Sequence, residues 1–145
     1  MSKLYGKSKR EIAELLRSKD IHPTAQRIEM AWCLLSRPQH LSADEIRLML
    51  NQEYEQVSQA TVYNNLKLFA KKGVVQELIV SSDRIYYDSN PNPHHHFLDL
   101  DTGKIEDIPN CALQISQMNI NACIEDVSVI VKGRRKQLDL EQVHP

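Results

Sequence analysis

The sequence contains no apolar run approaching the roughly 18 residues that a membrane-spanning helix needs. Its opening, MSKLYGKSKREIAELL, also lacks the apolar core of a secretion signal. Both absences point to a cytoplasmic protein with no membrane partner. Cysteine is scarce as well: Cys33, Cys111 and Cys123 are odd in number and widely spaced. That spacing excludes a disulfide framework and a CxxC zinc site, and leaves buried free thiols as the expectation. Nor does one sign of charge dominate, since the net charge is −1. The near-neutrality conceals a split. Residues 1–73 carry 12 Lys and Arg against 8 Asp and Glu, whereas residues 74–145 carry 6 against 11. The first part therefore suits an anionic partner such as nucleic acid, and the second a cation such as a metal ion. What is present is ordinary for a globular chain: 145 residues, 41% hydrophobic and 26% charged, enough for one domain or two small ones.

Helical spacing governs the first half. Ile12, Leu15 and Leu16 recur at helical intervals over residues 8–19, and HPT at 22–24 breaks the run before a second helix with Thr24 as N-cap. That helix is expected to bury Ile28, Ala31, Trp32 and Leu35 and to stop before Pro38. LSADE reads as a capping box, with Ser42 and Glu45 opening a third helix that buries Ile46, Met49 and Leu50. The fourth, VSQATVYNNLKLFAKKGVV, has Ser58 as N-cap, Val62, Leu66 and Phe69 as its buried stripe, and Gly73 as its stop. Its other face presents Gln59, Thr61, Tyr63, Asn64 and Lys67, a set able to meet base edges and phosphates. On an isolated helix such a face is more often merely solvated. Here VVQELIV and RIYYDS follow, separated by SSD, and read as a hairpin. Helices, then a polar-faced helix, then a hairpin is the order of a winged helix-turn-helix that places one helix in the major groove.

The pattern changes after Asp88. SNPNP is turn-rich, so the boundaries are expected at 1–88 for a DNA-binding domain, 89–93 for a hinge and 94–145 for a second domain. HHHFLDL, TGKIEDI and CIEDVSVIVKG read as three strands, with a turn at Thr102–Gly103 and a short helix over NCALQISQMNI. So small a sheet needs a partner, and a second copy of the chain would supply it while matching a palindromic duplex. The tail RRKQLDLEQVHP is expected to fray.

PTAQRIEM, HLSADEI, SQATVYNNLKLFAKKGVV and the histidine cluster followed by TGKIEDI together resemble the ferric uptake regulator family over about residues 10 to 132. The resemblance implies an α+β chain, with an N-terminal winged helix that binds DNA and a small C-terminal α/β dimerisation domain. It also implies a homodimeric, metal-activated transcription regulator, by default a repressor, and no enzyme.

Residue chemistry stands beside that resemblance. His94 and His96 alternate on a strand and so point to one face, Asp107 lies on the next strand across the turn, and Asp88 ends the hairpin. His40 is distant in sequence, in the loop opening the third helix. The family's regulatory metal site maps onto these five residues, His40, Asp88, His94, His96 and Asp107. Three imidazoles and two carboxylates suit Fe(II) or Mn(II) better than a tetrahedral zinc. Without the family, three consecutive histidines are more often a solvated strand edge. His95 points the other way and need not be a ligand, though it could serve a second metal or haem. His22 is read as structural.

Two departures from the family bear on mechanism. Its structural zinc is held by two CxxC pairs, but Asp99 and Thr102 stand at the first pair and nothing after Cys123 supplies the second, so no structural zinc is expected. Asp107 resembles the peroxide-stress branch, where iron-uptake repressors usually carry Glu. By that resemblance, Fe(II) with hydrogen peroxide would oxidise His40 and His94 and release DNA, and Arg17 would reach the minor groove. The alternative is an iron- or haem-responsive regulator of the iron response type, ranked second because a Cys-Pro haem motif is absent. A metal-dependent hydrolase lacks an obvious general base beside the site, and a metal-storage protein would leave the fourth helix unexplained.

Overall fold

The computed structural model describes residues 3–52 and 57–137. The chain divides between Asn92 and Pro93 into two compact units. Each begins from local sequence signals.

In the first unit, α1 (Lys9–Ser18) opens on a capping box: Ser8 Oγ accepts from the Glu11 N–H at 3.2 Å, and Glu11 Oε1 accepts from the Ser8 N–H at 3.2 Å. Those bonds to Ser8, backbone first, hold the Glu11 carboxyl below its ordinary range. The helix ends where Asp20 takes φ 59°, a left-handed conformation that a short polar side chain tolerates. Next, α2 (Ala25–Leu34) is capped by Thr24, whose hydroxyl accepts from the Arg27 N–H at 3.3 Å. Ser42 and Glu45 box the start of α3 (Ala43–Asn51), and Ser58 caps α4 (Gln59–Lys71) by accepting from the Thr61 N–H at 3.1 Å. Each such cap contributes about 1 kcal/mol. At the far end of α4, Gly73 has φ 75° and the Val74 N–H reaches back to the Phe69 carbonyl at 2.9 Å, which satisfies an otherwise orphaned acceptor.

These helices close over Ile12, Leu16, Leu34, Ile46, Leu66 and Phe69, all fully buried. Burying such a side chain stabilises by roughly 1.5–3 kcal/mol relative to leaving it in water. The expected face of α2 is rotated: Met30, Ala31, Leu34 and Leu35 are buried, whereas Trp32 is 40% exposed. Lys9 sits over the Trp32 ring at 5.0 Å and pairs with Glu29 at 2.6 Å, so the indole lies on the surface under a cation. Met49 likewise turns out of the core, while Ile46 and Leu50 stay in.

The hairpin forms as β2 (Gln76–Ser81) and β3 (Arg84–Asp88), and a strand that periodicity did not announce, β1 (His40–Leu41), adds to it in the order β1-β3-β2. His40 is therefore on a strand rather than in a loop. Two residues are too few to show alternation.

The second unit is a three-stranded sheet in the order β5-β4-β6, from β4 (His95–Asp99), β5 (Ile105–Ile108) and β6 (Ile130–Gly133). β4 and β5 form an antiparallel hairpin whose turn closes with Gly103 at φ 73°, and β6 joins β4 in parallel. The helix expected over NCALQISQMNI is not formed, and the third strand is limited to its last four residues. A short helix rich in Asn, Ser and β-branched residues is marginal without a surface to pack on, and residues 114–126 are all exposed. Cys111 and Cys123 lie in this exposed region and Cys33 is half-buried, so none of the three is the buried thiol expected. The first residues of the tail are held: Arg134 pairs with Asp101, and Arg135 pairs with Glu106 and lies 5.2 Å over the Phe97 ring. Residues 138–145 of the tail lie outside the described residues.

Candidate functional site

The first unit contributes a histidine and a carboxylate. His40 on β1 stands directly opposite Asp88 on β3, and His40 Nε2 lies 3.0 Å from Asp88 Oδ2. The Asp88 side chain is 2% exposed and that of His40 14%, so the pair works in a poorly hydrated setting where charge is strongly felt. Two neighbours that sequence reasoning passed over fix it. Ser89, fully buried, donates from its backbone N–H to the Gln39 carbonyl at 3.1 Å. Its hydroxyl accepts from the Gln39 N–H at 2.9 Å and donates to the Arg37 carbonyl at 3.1 Å. The Gln39 amide in turn donates to the Cys33 and Leu34 carbonyls, tying β1 to the end of α2. Within SNPNP, Ser89 reads as one more turn residue, and nothing local marks it as a clasp.

The second unit holds two imidazoles and a carboxylate at close range. His96 on β4 faces Asp107 on β5 directly across the ladder. Asp107 Oδ1 lies 3.0 Å from His94 Nε2 and 3.4 Å from His96 Nε2, and the two imidazole rings tilt at 54° with centroids 4.3 Å apart. His96 is fully buried, while the Asp107 side chain remains 42% exposed. Two imidazole nitrogens thus converge on one carboxylate oxygen. His95 does not join them: its Nδ1 accepts the Val129 N–H at 3.1 Å, which assigns the ring proton to Nε2 in the neutral form and fastens the strand leading into β6.

Donor chemistry is consistent with a divalent ion. His40, Asp88, His94, His96 and Asp107 are all residues able to hold a metal, and none of them is a thiolate. Imidazole and carboxylate donors match Fe(II) or Mn(II). At the Asp99–Thr102 turn, Asp99 accepts from the Asp101 N–H at 2.8 Å and the Thr102 N–H at 3.4 Å. These bonds, that from Asp101 first, hold its carboxyl below the usual range.

On α4, Gln59, Tyr63, Asn64 and Lys67 are exposed, and Lys67 Nζ lies 4.7 Å over the Tyr63 ring. Thr61 is half-buried, with its hydroxyl accepting from Ser58 Oγ at 2.8 Å, so it also serves the helix cap. Arg17 is exposed in the last turn of α1, beside a shallow cleft lined by Asp20, Ile21, His22 and Pro23. His22 is exposed, and its carbonyl accepts from Arg27 Nη1 at 3.0 Å. Arg27 Nε also donates to Asn65 Oδ1 at 3.0 Å, which sets α4 against α2. No sequence signal singled out Arg27.

A winged helix with a polar-faced fourth helix, joined to a small sheet bearing paired imidazoles and a carboxylate, defines the class. The model described as the ferric uptake regulator family matches residues 7–131. The chain belongs to that family. Among curated relatives, the peroxide-responsive repressor PerR of Staphylococcus aureus strain Mu50 is 37% identical over 92 residues, which are 63% of this chain and 62% of that protein. The similarity thus spans less than two thirds of the relative's length. Among solved structures, a ferric uptake regulator from Pseudomonas aeruginosa with manganese is 24% identical, with 86% of this chain and 97% of that one covered at a TM-score of 0.70. A Vibrio cholerae ferric uptake regulator is 21% identical, with 85% and 98% covered at a TM-score of 0.63. At these identities the two structures establish the shared fold.

No helix among the described residues is long and apolar enough to cross a membrane.

Proposed function

We propose that the chain is a metal-dependent, DNA-binding transcription regulator, a repressor in its metal-bound form, that senses hydrogen peroxide through oxidation of its own ligand histidines. The observation that carries this reading is the convergence of His94 and His96 on Asp107 within the second unit, together with a buried His40–Asp88 pair within the first. The PerR relative adds the peroxide branch.

One ion takes all five residues: His40 and Asp88 from the first unit, His94, His96 and Asp107 from the second. Only five residues separate Asp88 from His94, so the chain itself keeps the two sets within roughly 20 Å of each other. Coordination shared between units favours one arrangement of the two over others, which makes DNA affinity depend on the metal. These residues would hold a ferrous ion, which would supply one-electron chemistry toward peroxide, while the two electrons of the net oxidation come from the imidazole itself. The net change at His40 or His94 is insertion of one oxygen atom into the imidazole while the other leaves as water. An oxidised ring is a poorer donor, so the clamp loosens and DNA is released. Mn(II) would be held by the same residues without supplying that chemistry.

Tyr63 and Asn64 meet base edges, Gln59, Thr61 and Lys67 meet bases or phosphates, and Arg17 enters the minor groove. A second copy covers the apolar side chains that the second unit leaves in water, among them Leu100 at 48%, Ile120 at 60% and Ile124 at 47% exposed, and a twofold dimer reads a palindromic duplex. Structural zinc has no part in this reading.

The test is selection of duplexes from a random pool by the full chain with Mn(II), followed by binding measurements with and without metal. Palindromic duplexes bound only with metal, and lost in His96→Ala, are expected. Metal-independent binding, or none, contradicts the reading.

A further inference from the structure

Three residues stand in one row across the first sheet: His40 on β1 is opposite Asp88 on β3, and Asp88 is opposite Gln76 on β2. Directly opposed residues of an antiparallel sheet project to the same face, with Cβ atoms roughly 4.5–5.5 Å apart. The 3.0 Å approach of His40 to Asp88 shows what that placement achieves on one side of the carboxylate. Gln76 occupies the other side. Its Oε1 is buried and has no hydrogen-bond partner among the described residues.

An orphaned buried amide oxygen is uncommon and calls for a donor. Asp88 cannot be that donor, because an ionised carboxylate only accepts. A water molecule bound to a cation that the neighbouring carboxylate holds would supply the missing donor.

We propose that Gln76 is a further polar group of the metal centre, its amide oxygen accepting a hydrogen bond from a water molecule on the divalent ion held by His40 and Asp88. The inference rests on the metal-site reading given above. A neutral oxygen acceptor beside the ion favours hard ions that retain water, Mn(II) or Fe(II), over Zn(II), which prefers a closed tetrahedral set. Gln76 is thus a positioning and specificity residue that acts through water.

The test uses the full chain, freed of metal, as wild type, Q76L, Q76M, Q76E and H40A. Mn(II) affinity is read from the EPR signal of free Mn(II), exchangeable-proton couplings of the bound ion are read by ENDOR, and unfolding of the metal-free proteins is followed by heat. Q76L and Q76M should weaken Mn(II) binding by about 10-fold or more, as loss of an outer-shell partner does. They should also alter the exchangeable-proton coupling, change Zn(II) affinity less, and leave metal-free stability equal or higher. Q76E, which keeps an acceptor oxygen, should retain binding. If Q76L does not fold, Q76M, which matches Gln in length, gives the same readings. Wild-type Mn(II) affinity and proton coupling in Q76L or Q76M, with binding lost in H40A, would overturn the role of Gln76 and leave the metal site standing. Unchanged Mn(II) binding in H40A would overturn both.

Discussion

His96 on β4 and Asp107 on β5 are directly paired across an antiparallel ladder, with Nε2 and Oδ1 3.4 Å apart, and the imidazole is fully buried while the carboxylate reaches solvent. The ladder register alone brings them together, so the sheet must form before the ligands can meet. His94, just ahead of the strand, joins the same oxygen at 3.0 Å. His96 and Asp107 are thus placed by backbone pairing rather than by a loop, which holds these two candidate donors in position independently of a metal.

His95 should prove dispensable for metal but contribute to stability. His95→Ala removes the acceptor for the Val129 N–H, and metal-free stability should fall by about 1 kcal/mol while Mn(II) affinity holds. Thermal unfolding and Mn(II) titration of the same preparation check both; a large loss of Mn(II) affinity would make His95 a ligand.

Ser89 should matter to a site it does not touch. Ser89→Ala leaves the Gln39 N–H without its acceptor and frees the start of β1, costing roughly 1–3 kcal/mol. Mn(II) binding should weaken as His40 loses its fixed place opposite Asp88. Denaturant titration reads the first effect and metal titration the second, and Ser89→Thr should recover part of each.

The surface of α4 yields a prediction separable from the metal. Tyr63→Ala removes the ring under Lys67 and should weaken binding to the selected duplex by about 1–3 kcal/mol with Mn(II) affinity unchanged. Lys67→Ala should instead lower affinity similarly across sequences and flatten the salt dependence. Fluorescence anisotropy at several salt concentrations separates the two.

Alkaline pH should expose Tyr87. Burial, and secondarily the Glu77 carboxylate, push its hydroxyl up to about 12, so the unfolded chain gives up this proton near 10 while the folded one keeps it. Stability from this group is therefore complete below about pH 10 and is lost as pH rises through about 12. Tyr87→Phe should remove that part of the alkaline decline, measured as unfolding free energy against pH, and an unaltered slope would deny Tyr87 the role.

Helix capping and the fourth helix's stripe were legible because they depend on residues three or four apart: Ser42 with Glu45, Ser58 with Thr61, Val62 with Leu66 and Phe69. The hairpin followed from alternation, and the pairing of His96 with Asp107 from a turn at Gly103. What escaped notice depends on residues far apart. β1 is only His40 and Leu41 and exists because β3 offers an edge. Gln39 and Ser89 recognise each other across fifty positions, and Gln76 gains its place only through the register with Asp88. Trp32 shows the limit of periodicity itself: it lies one residue beyond the buried Ala31, and a cation from α1 suffices to keep it on the surface. The helix expected after Asn110 had the right spacing but nothing within its own unit to pack against.

The decisive measurement is mass spectrometry of the peptides containing His40 and His94 after the protein, loaded with Fe(II) or with Mn(II), is treated with dilute peroxide, with duplex binding followed in the same samples. Addition of single oxygen atoms to His40 and His94 in the Fe(II) form alone, with loss of DNA binding in step, is the result expected of a peroxide-sensing repressor. Unmodified histidines, with DNA binding that follows only the amount of metal or haem, would contradict it and make the protein a regulator of iron status.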